Sequence, residues 1–353
     1  MKSWEENVRR VVPYVPGEQP KEKDIIKLNT NENPYPPAPG VEELTKEFAC
    51  DRLRLYPDPD ATVLVDALAA RYGVSPEQVF TGVGSDDVLS MAFLTFFNGE
   101  KPILFPDITY SFYDVWADLY RIPYKTCPLD ENFKIKWEDY MQENGGIIFP
   151  NPNAPTGIEE DVTDIEKIIQ ANPDVVVIVD EAYVDFGGTS VLPLIDRYEN
   201  LLVVQTFSKS RSMAGLRIGY AFGSRKLIAR LNDVKFSFNS YTMDWFTQIL
   251  GAEAVKDEEY FKACTAKIVK TREWVKEELG KLGFTFPDSK TNFIFAKHAS
   301  LDGETIFQEL KKRKIYVRHW NKDRISDYLR ITIGTDEQMK ILLAALKEII
   351  GEA

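Results

Sequence analysis

The chain has 353 residues, 44% of them hydrophobic and 28% charged, the balance of a soluble globular protein and too long for one ordinary hydrophobic core, so two domains are expected. With 43 Lys and Arg against 55 Asp and Glu the net charge is −12, a field that repels phosphate backbones and argues against nucleic acid or an anionic membrane surface as partner. Cys50, Cys127 and Cys264 are too sparse for a disulfide framework or a zinc pattern and point to a reducing, cytoplasmic setting. The N-terminal MKSWEENVRR lacks the apolar run of a signal peptide, and no apolar stretch approaches the roughly 18–20 residues of a membrane span. His298 and His319 are the only histidines, so neither a His-based triad nor a metal site is expected.

In chain order, residues 1–40 are rich in Pro and Asn (PYVPGEQP, LNTNENPYPPAPG) and read as an extended arm ending in turns. From about residue 60 helical patterns alternate with short apolar runs. Ser75-Pro76-Glu77 reads as a helix start with Pro at the first helical position. The stretch from Asp86 to Phe97, opened by Ser85 and stopped by Asn98-Gly99, reads as a helix. Strands are expected at Ile103 to Phe105, Ile147 to Phe149, Val175 to Val179, Leu201 to Val204 and Ile218 to Phe222. Each is continuously apolar, the mark of strands covered on both faces. The alternation predicts an α/β fold with a mostly parallel sheet and right-handed crossovers. A long helical stretch from Thr247 to Leu282, broken near Asp257, leads to short strands around Phe293, Tyr316 and Arg330. A last helix opens with Thr335 and Gln338 as capping box and carries Met339, Leu342, Leu346 and Ile349 on its apolar stripe. The expected organisation is an arm (1–40) packing near the small domain, a large domain (41–245) and a smaller α+β domain (246–353).

Chemistry-bearing residues cluster where those strands end. VVVIVDEAYVDF places Asp180, Glu181 and Tyr183 at the carboxyl end of a buried strand, the edge where open α/β sheets bind ligands. Alone, such a carboxylate is more often a helix cap or a solvated strand end. QTFSKSRSMAGLRIGYAFG puts Lys209 between serines just past a strand, with Arg217 before the next. Lysine is a Schiff-base nucleophile when partial desolvation keeps it neutral, and Ser208 with Arg217 can bind a phosphate. A surface lysine explains that spelling about as often. IIFPNPNAPTGIEEDVTD defines a rigid loop from which Asn153 can hydrogen-bond a ligand oxygen. QVFTGVGSDDVLSMAF links a short strand to a helix through Gly82, Gly84 and Ser85, and N–H groups at a helix N-terminus bind phosphate. The dinucleotide pattern is broken there, because Asp87 stands where G-x-G-x-x-G needs its last glycine.

Together these spellings closely resemble the fold-type I, pyridoxal 5'-phosphate-dependent aminotransferases over nearly the whole chain, and within them the branch acting on histidinol phosphate. NPNAPTG, DEAY and the block from Ser208 to Tyr220 are the most specific pieces. VRRVVPY, LNTNENPY, RLYPDP around Tyr56, TYSFY around Tyr110, and YVR and YLRITIGT fit as well. The resemblance implies pyridoxal 5'-phosphate as cofactor, with a large sheet domain and a smaller α+β domain. Lys209 is implied to hold the cofactor covalently and then to move a proton at the substrate, with Asp180 opposite the pyridine nitrogen. Asn153 and Tyr183 are implied on the phenolic oxygen, Tyr110 on the ring face, and Ser85, Asp86, Ser208 and Arg217 at the phosphate. Tyr56 is implied to reach that phosphate from the neighbouring subunit of a homodimer. Arg330 is implied as the carboxylate-binding arginine, and Tyr14 and Arg318 as the residues that recognise the substrate's own phosphate. Plainer readings of these last are a surface arginine and an arm tyrosine packed against the fold. The implied reaction is reversible ping-pong transamination between L-histidinol phosphate and 2-oxoglutarate, giving imidazole-acetol phosphate and L-glutamate, in L-histidine biosynthesis.

Departures from the family spelling are Pro36 where glycine usually follows NENPY, Asp87 in GSDD for GSDE, and Ala154 in NPNAPTG for NPNNPTG, a position with no assigned contact. Rival readings of the same fold are an aromatic amino-acid aminotransferase and a threonine-phosphate decarboxylase. A non-catalytic regulatory protein would be expected to lose Lys209 or Asp180, and both are present.

Overall fold

The computed structural model describes residues 3–352. After the arm, whose Ile26–Lys27 is a short strand (β1), the chain runs through α1 (Pro39–Lys46), α2 (Thr62–Tyr72), β2 (Val79–Gly82), α3 (Ser85–Phe96), β3 (Ile103–Pro106), α4 (Tyr113–Tyr120) and β4 (Tyr124–Cys127). It continues through β5 (Ile147–Pro150), α5 (Val162–Ala171), β6 (Val177–Asp180), β7 (Leu201–Thr206), β8 (Gly219–Gly223), α6 (Arg225–Phe238) and α7 (Trp245–Lys256). These strands form a seven-stranded sheet in the order β2-β8-β7-β6-β5-β3-β4. Its inner strands β5, β6 and β7 are buried along their whole length, which is why they carry unbroken apolar runs. Only β8 runs against its neighbours β7 and β2. The parallel strands and the start of β8 therefore meet at one edge.

The expected helix start at Ser75 becomes a 3₁₀ turn over Pro76–Gln78, because Val79 to Gly82 are needed as a buried edge strand beside β8. Ser75 and Gln78 still form a capping box around that turn. The helical stretch after residue 240 splits at Asp257, which caps the second half by accepting from the Tyr260 N–H at 3.0 Å. Leu250, Ala254 and Val255 of α7 pack into the same core as Leu64 and Leu68 of α2, so α7 belongs to the large core rather than to the small domain expected from 246 onward.

The second core begins with α8 (Glu258–Lys281) and continues through β9 (Phe284–Thr285), β10 (Phe293–His298), α9 (Gly303–Lys312), β11 (Ile315–Tyr316), β12 (Arg318–His319), β13 (Tyr328–Thr332) and α10 (Asp336–Glu352). A sheet in the order β12-β13-β10-β9 is antiparallel throughout. Ile268, Val275 and Leu279 of α8 and Met339, Leu342 and Leu346 of α10 cover it, each fully buried side chain contributing about 1.5–3 kcal/mol. Thr335 and Gln338 exchange both bonds of the expected capping box. The arm is tied to this domain: β1 pairs in parallel with β11, and the Thr332 N–H donates to the Leu28 carbonyl at 3.0 Å. Among the described residues no helix is long and apolar enough to cross a membrane.

Candidate active site

The sheet edge delivers polar groups from each of its central strands. Gly84 and Ser85 follow β2, Tyr110 follows β3, Ala154 follows β5, Asp180 ends β6, and Lys209 follows β7. Arg217 reaches the same edge because β8, which it precedes, runs backwards. All of these but Gly84 line a cavity of about 160 Å³ with Thr30, Glu32, Tyr183 and Ser208. The cavity is continuous with an outer one of about 470 Å³ that adds Tyr14, Trp320, Arg318 and Arg330.

At one end of the inner cavity lies an anion cradle. Gly84 has φ +87°, and a Cβ there would stand 2.3 Å from Arg217 Nη2, so only glycine lets the guanidinium lie against the start of α3. The positive end of that helix, its unpaired first N–H groups, and the hydroxyls of Ser85 and Ser208 converge there. Arg217 is itself held in the left-handed region at φ 58°, bonding Ser208 Oγ at 3.4 Å, the Ala214 carbonyl at 3.2 Å and Asp86 Oδ2 at 3.2 Å. The other Asp86 oxygen accepts from Tyr110 OH at 2.8 Å, which orients the tyrosine over the cavity.

On the floor, Asp180 is 4% exposed and accepts from Tyr113 OH at 3.0 Å and from the Ala182 N–H at 3.2 Å. Burial pushes its carboxyl up to about 6, against the pull of those two donors. Among the described residues no cation pairs with it. Lys209 Nζ donates to the Thr30 carbonyl at 3.1 Å. Burial first, and then the charge of Arg330, push its amine down to about 8, while Asp86 and Glu32 oppose the shift. The amine is therefore poised between charged and neutral near physiological pH, as a nucleophile or base needs. Tyr183 OH accepts from Asn31 Nδ2 at 2.8 Å, and its ring meets Phe293 edge-on at 5.1 Å.

The outer cavity holds two guanidiniums. Arg330 Nη2 donates to the Asn29 carbonyl at 2.9 Å, while its buried Nε has no partner. The ring of Trp320 lies 5.3 Å from the Arg330 guanidinium carbon and 5.4 Å from that of Arg318. Neither arginine meets a carboxylate among the described residues. Tyr14 of the arm stacks on Phe112 at 4.0 Å and faces the same space.

Lys209, Asp180, Tyr183, Ser85, Asp86, Tyr110, Ser208 and Arg217 thus come together, with Tyr14, Arg318 and Arg330 around the mouth. Asn153 does not join them. Its Nδ2 donates to the Ile108 carbonyl at 3.0 Å and to Thr156 Oγ1 at 3.2 Å, and its Oδ1 accepts from Thr109 Oγ1. The expectation that Asn153 meets a ligand oxygen is corrected accordingly: the turn directs Asn153 into the neighbouring loop and leaves Ala154 on the cavity wall. Tyr56 lies outside both cavities, 82% exposed and stacked on Tyr241 at 4.6 Å. Residues missed from the sequence are Thr30, Asn31 and Asn33 of the LNTNEN turn, Tyr113 and Trp320. The signals were present but faint: a cluster of asparagines, and aromatics spaced just beyond Tyr110 and Arg318.

Residues 23–346 match the family Aminotransferase class I and II. The histidinol-phosphate aminotransferase of Lactococcus lactis subsp. cremoris (strain MG1363) is 55% identical over 346 residues, covering 98% of this chain and 97% of that one. That of Clostridium botulinum (strain Langeland / NCTC 10281 / Type F) is 53% identical over 351 residues, with 99% of each covered. The crystal structure of histidinol-phosphate aminotransferase from Sinorhizobium meliloti in complex with pyridoxal-5'-phosphate has the same fold, with a TM-score of 0.88 at 23% identity over 97% of this chain and 96% of that one.

Proposed function

The chain belongs to the class I and II aminotransferases, in the group of histidinol-phosphate aminotransferases, and from that premise we propose that its two connected cavities exchange the amino group of L-histidinol phosphate with 2-oxoglutarate. The products are imidazole-acetol phosphate and L-glutamate, a step of L-histidine biosynthesis. The observation that carries the substrate assignment is the pair Arg318 and Arg330, both without a carboxylate partner among the described residues, flanking Trp320 at the outer end of the cavity that holds Lys209.

The family's cofactor is pyridoxal 5'-phosphate, and the residues present fit it. The Gly84 and Arg217 cradle suits a phosphate, the cation-free carboxylate of Asp180 suits a protonated ring nitrogen, and Lys209, its amine pushed down to about 8, suits an aldehyde carbon. When bound, the cofactor supplies an electron-withdrawing ring that accepts the charge left at the substrate carbon and carries the amino group between the half-reactions. Ser85, Ser208 and Arg217 would hold the phosphate, and Tyr110, tied to Asp86, would cover the ring face. Asp180 would hold a proton on the ring nitrogen, its own oxygens kept in place by Tyr113 and Ala182. Lys209 Nζ would be the group that holds and moves the proton of the substrate carbon beside the nitrogen. Tyr183 would donate to the ring's phenolic oxygen.

The substrate end divides its work by charge. L-Histidinol phosphate carries a phosphate ester where an amino acid has its carboxylate, and the fork of Arg330 suits either anion. Arg318, with Tyr14 across the cavity, adds the second cation that only the phosphate substrate needs. Tyr56, exposed in one chain, belongs in this proposal to a homodimer in which it completes the phosphate cradle of the neighbouring subunit. A cytoplasmic setting is part of the same reading.

A donor panel tests the assignment. With 2-oxoglutarate as acceptor, histidinol phosphate should exceed phenylalanine and tyrosine in kcat/KM by on the order of 100-fold, the worth of one well-placed charge-assisted contact. Equal rates with phenylalanine would assign an aromatic aminotransferase, and release of carbon dioxide from phosphothreonine would assign a decarboxylase.

A further inference from the structure

The turn Leu28 to Asn33 lies between the two domains and touches the chemistry at several points. The Thr30 carbonyl accepts from Lys209 Nζ, the Asn29 carbonyl from Arg330 Nη2, and Asn33 Nδ2 donates to the Lys209 carbonyl at 3.0 Å. Asn31 sits at its centre, 1% exposed, with φ 57°, a left-handed conformation that asparagine tolerates better than other side-chain-bearing residues.

The hydrogen-bond arithmetic around Asn31 closes in one way. Its backbone N–H can only donate, and it donates to Thr332 Oγ1 at 3.1 Å. The Thr332 hydroxyl, 2% exposed, must then place its own proton elsewhere, and Asn31 Oδ1 receives it at 3.0 Å. That assigns the side-chain amide: Oδ1 faces Thr332 and Nδ2 faces Tyr183. Nδ2 donates to the Tyr183 oxygen at 2.8 Å. An oxygen that accepts there has its own proton left to donate, and the other space it faces is the inner cavity. The opposite amide orientation would leave the buried Thr332 proton without an acceptor, a cost of about 1–3 kcal/mol. The Asn31 carbonyl is anchored as well, accepting from Asn292 Nδ2 at 3.0 Å.

We propose that Asn31, oriented by Thr332, is a positioning residue that holds Tyr183 as a hydrogen-bond donor into the cavity, and so tunes the proton affinity of the bound cofactor's linkage to Lys209. The inference deepens the proposed function and rests on that reading for the cofactor. It bears more weight in this chain because Ala154, which shares the cavity wall, has no polar side-chain atom, so Tyr183 carries the donation on that side. Thr332 and Asn292 belong to the small domain, whereas Tyr183 follows β6 of the large sheet. The phenol's direction is therefore set across the domain boundary.

The test is the pH titration of the absorbance of the bound cofactor in the purified holoenzyme, without substrate. A donor to the phenolic oxygen favours the deprotonated linkage, so Tyr183→Phe should raise the midpoint by about one pH unit or more. Asn31→Asp keeps shape and backbone preference but presents only acceptors, so it takes the Tyr183 proton for itself. Its new charge also favours the protonated linkage, so it should raise the midpoint at least as far as Tyr183→Phe, and by clearly less in the Tyr183→Phe background, where only the charge acts. Thr332→Val, which removes the clamp, should raise it by roughly half as much, and Thr332→Ser should restore the parent value. If Tyr183→Phe shifts the midpoint while Asn31→Asp and Thr332→Val leave it at the parent value, the inference is overturned and the proposed function stands. Additive shifts in the double variant also overturn it. If the parent shows no titrating band, or Tyr183→Phe does not move it, the placement of the cofactor fails and the inference fails with it.

Discussion

The inner end of the site stands on strand ends, whereas the outer end is assembled from the arm and the small domain. At the inner end Asp180 and Tyr183 are buried, Lys209 and Arg217 partly so, and each is held by a neighbour: Asp180 by Tyr113, Lys209 by Thr30, Tyr183 by Asn31 and Arg217 by Ser208. At the outer end the contacts are broader and looser, with Tyr14 stacked on Phe112 and both arginines against Trp320. The difference teaches where change is tolerated. Groups that do the chemistry need fixed geometry and are placed by the sheet. Groups that select a substrate are mounted on segments that can alter without disturbing that sheet.

The largest test of this division is at its centre. Lys209→Ala should lower transamination on the order of 10⁴-fold or more while leaving the fold intact, because the amine is both the attachment point and the base. Single-turnover kinetics and circular dichroism check the two halves of that statement. Residual turnover within tenfold of the parent would mean another group moves the proton.

At the outer end the arginines should separate. Arg318→Ala should lower kcat/KM for histidinol phosphate by roughly 30–150-fold and change that for glutamate by less than about threefold, since only the former carries a phosphate. Arg330→Ala should weaken both. Equal losses for both substrates in Arg318→Ala would erase the distinction between the arginines.

The smallest effect concerns stability at the inner end. Burial holds the Asp180 carboxyl at about 6, above its ordinary value, so the folded cofactor-free protein keeps a proton that the unfolded chain releases between about pH 4 and 6. Its stability contribution therefore falls as pH rises through that window. Asp180→Asn is neutral throughout and should make the cofactor-free protein more stable at pH 8 by roughly 1–3 kcal/mol, with the difference shrinking towards pH 4. Urea unfolding at the two pH values measures it. A destabilised variant at pH 8 would show that the carboxylate is paid for by contacts other than those with Tyr113 and Ala182.

Much of the fold could be read along the chain because its elements advertise themselves locally. The strands at Ile103, Ile147, Leu201 and Ile218 are apolar without interruption, and the capping box at Thr335 is spelled in four consecutive positions. Less legible were β2 and β4, the edge strands of the sheet. Val79 to Gly82 follow a proline turn that imitates a helix start, and Tyr124 to Cys127 are largely exposed and lack the apolar signature. The place of α7 was equally hidden, because an apolar helix at a domain boundary does not say which core receives it.

By itself the sequence determined the strand ends, the caps and the presence of a lysine, a carboxylate and two arginines in the spelling of one family. Those features depend on residues a few positions apart, where chain connectivity does the placing. Only the tertiary structure decided that Ala154 rather than Asn153 faces the cavity, that α7 joins the large core, and that Asn31 meets Tyr183 and Thr332, 152 and 301 positions further along. A buried amide must find partners wherever the packed chains bring them, and no local pattern records which ones they will be.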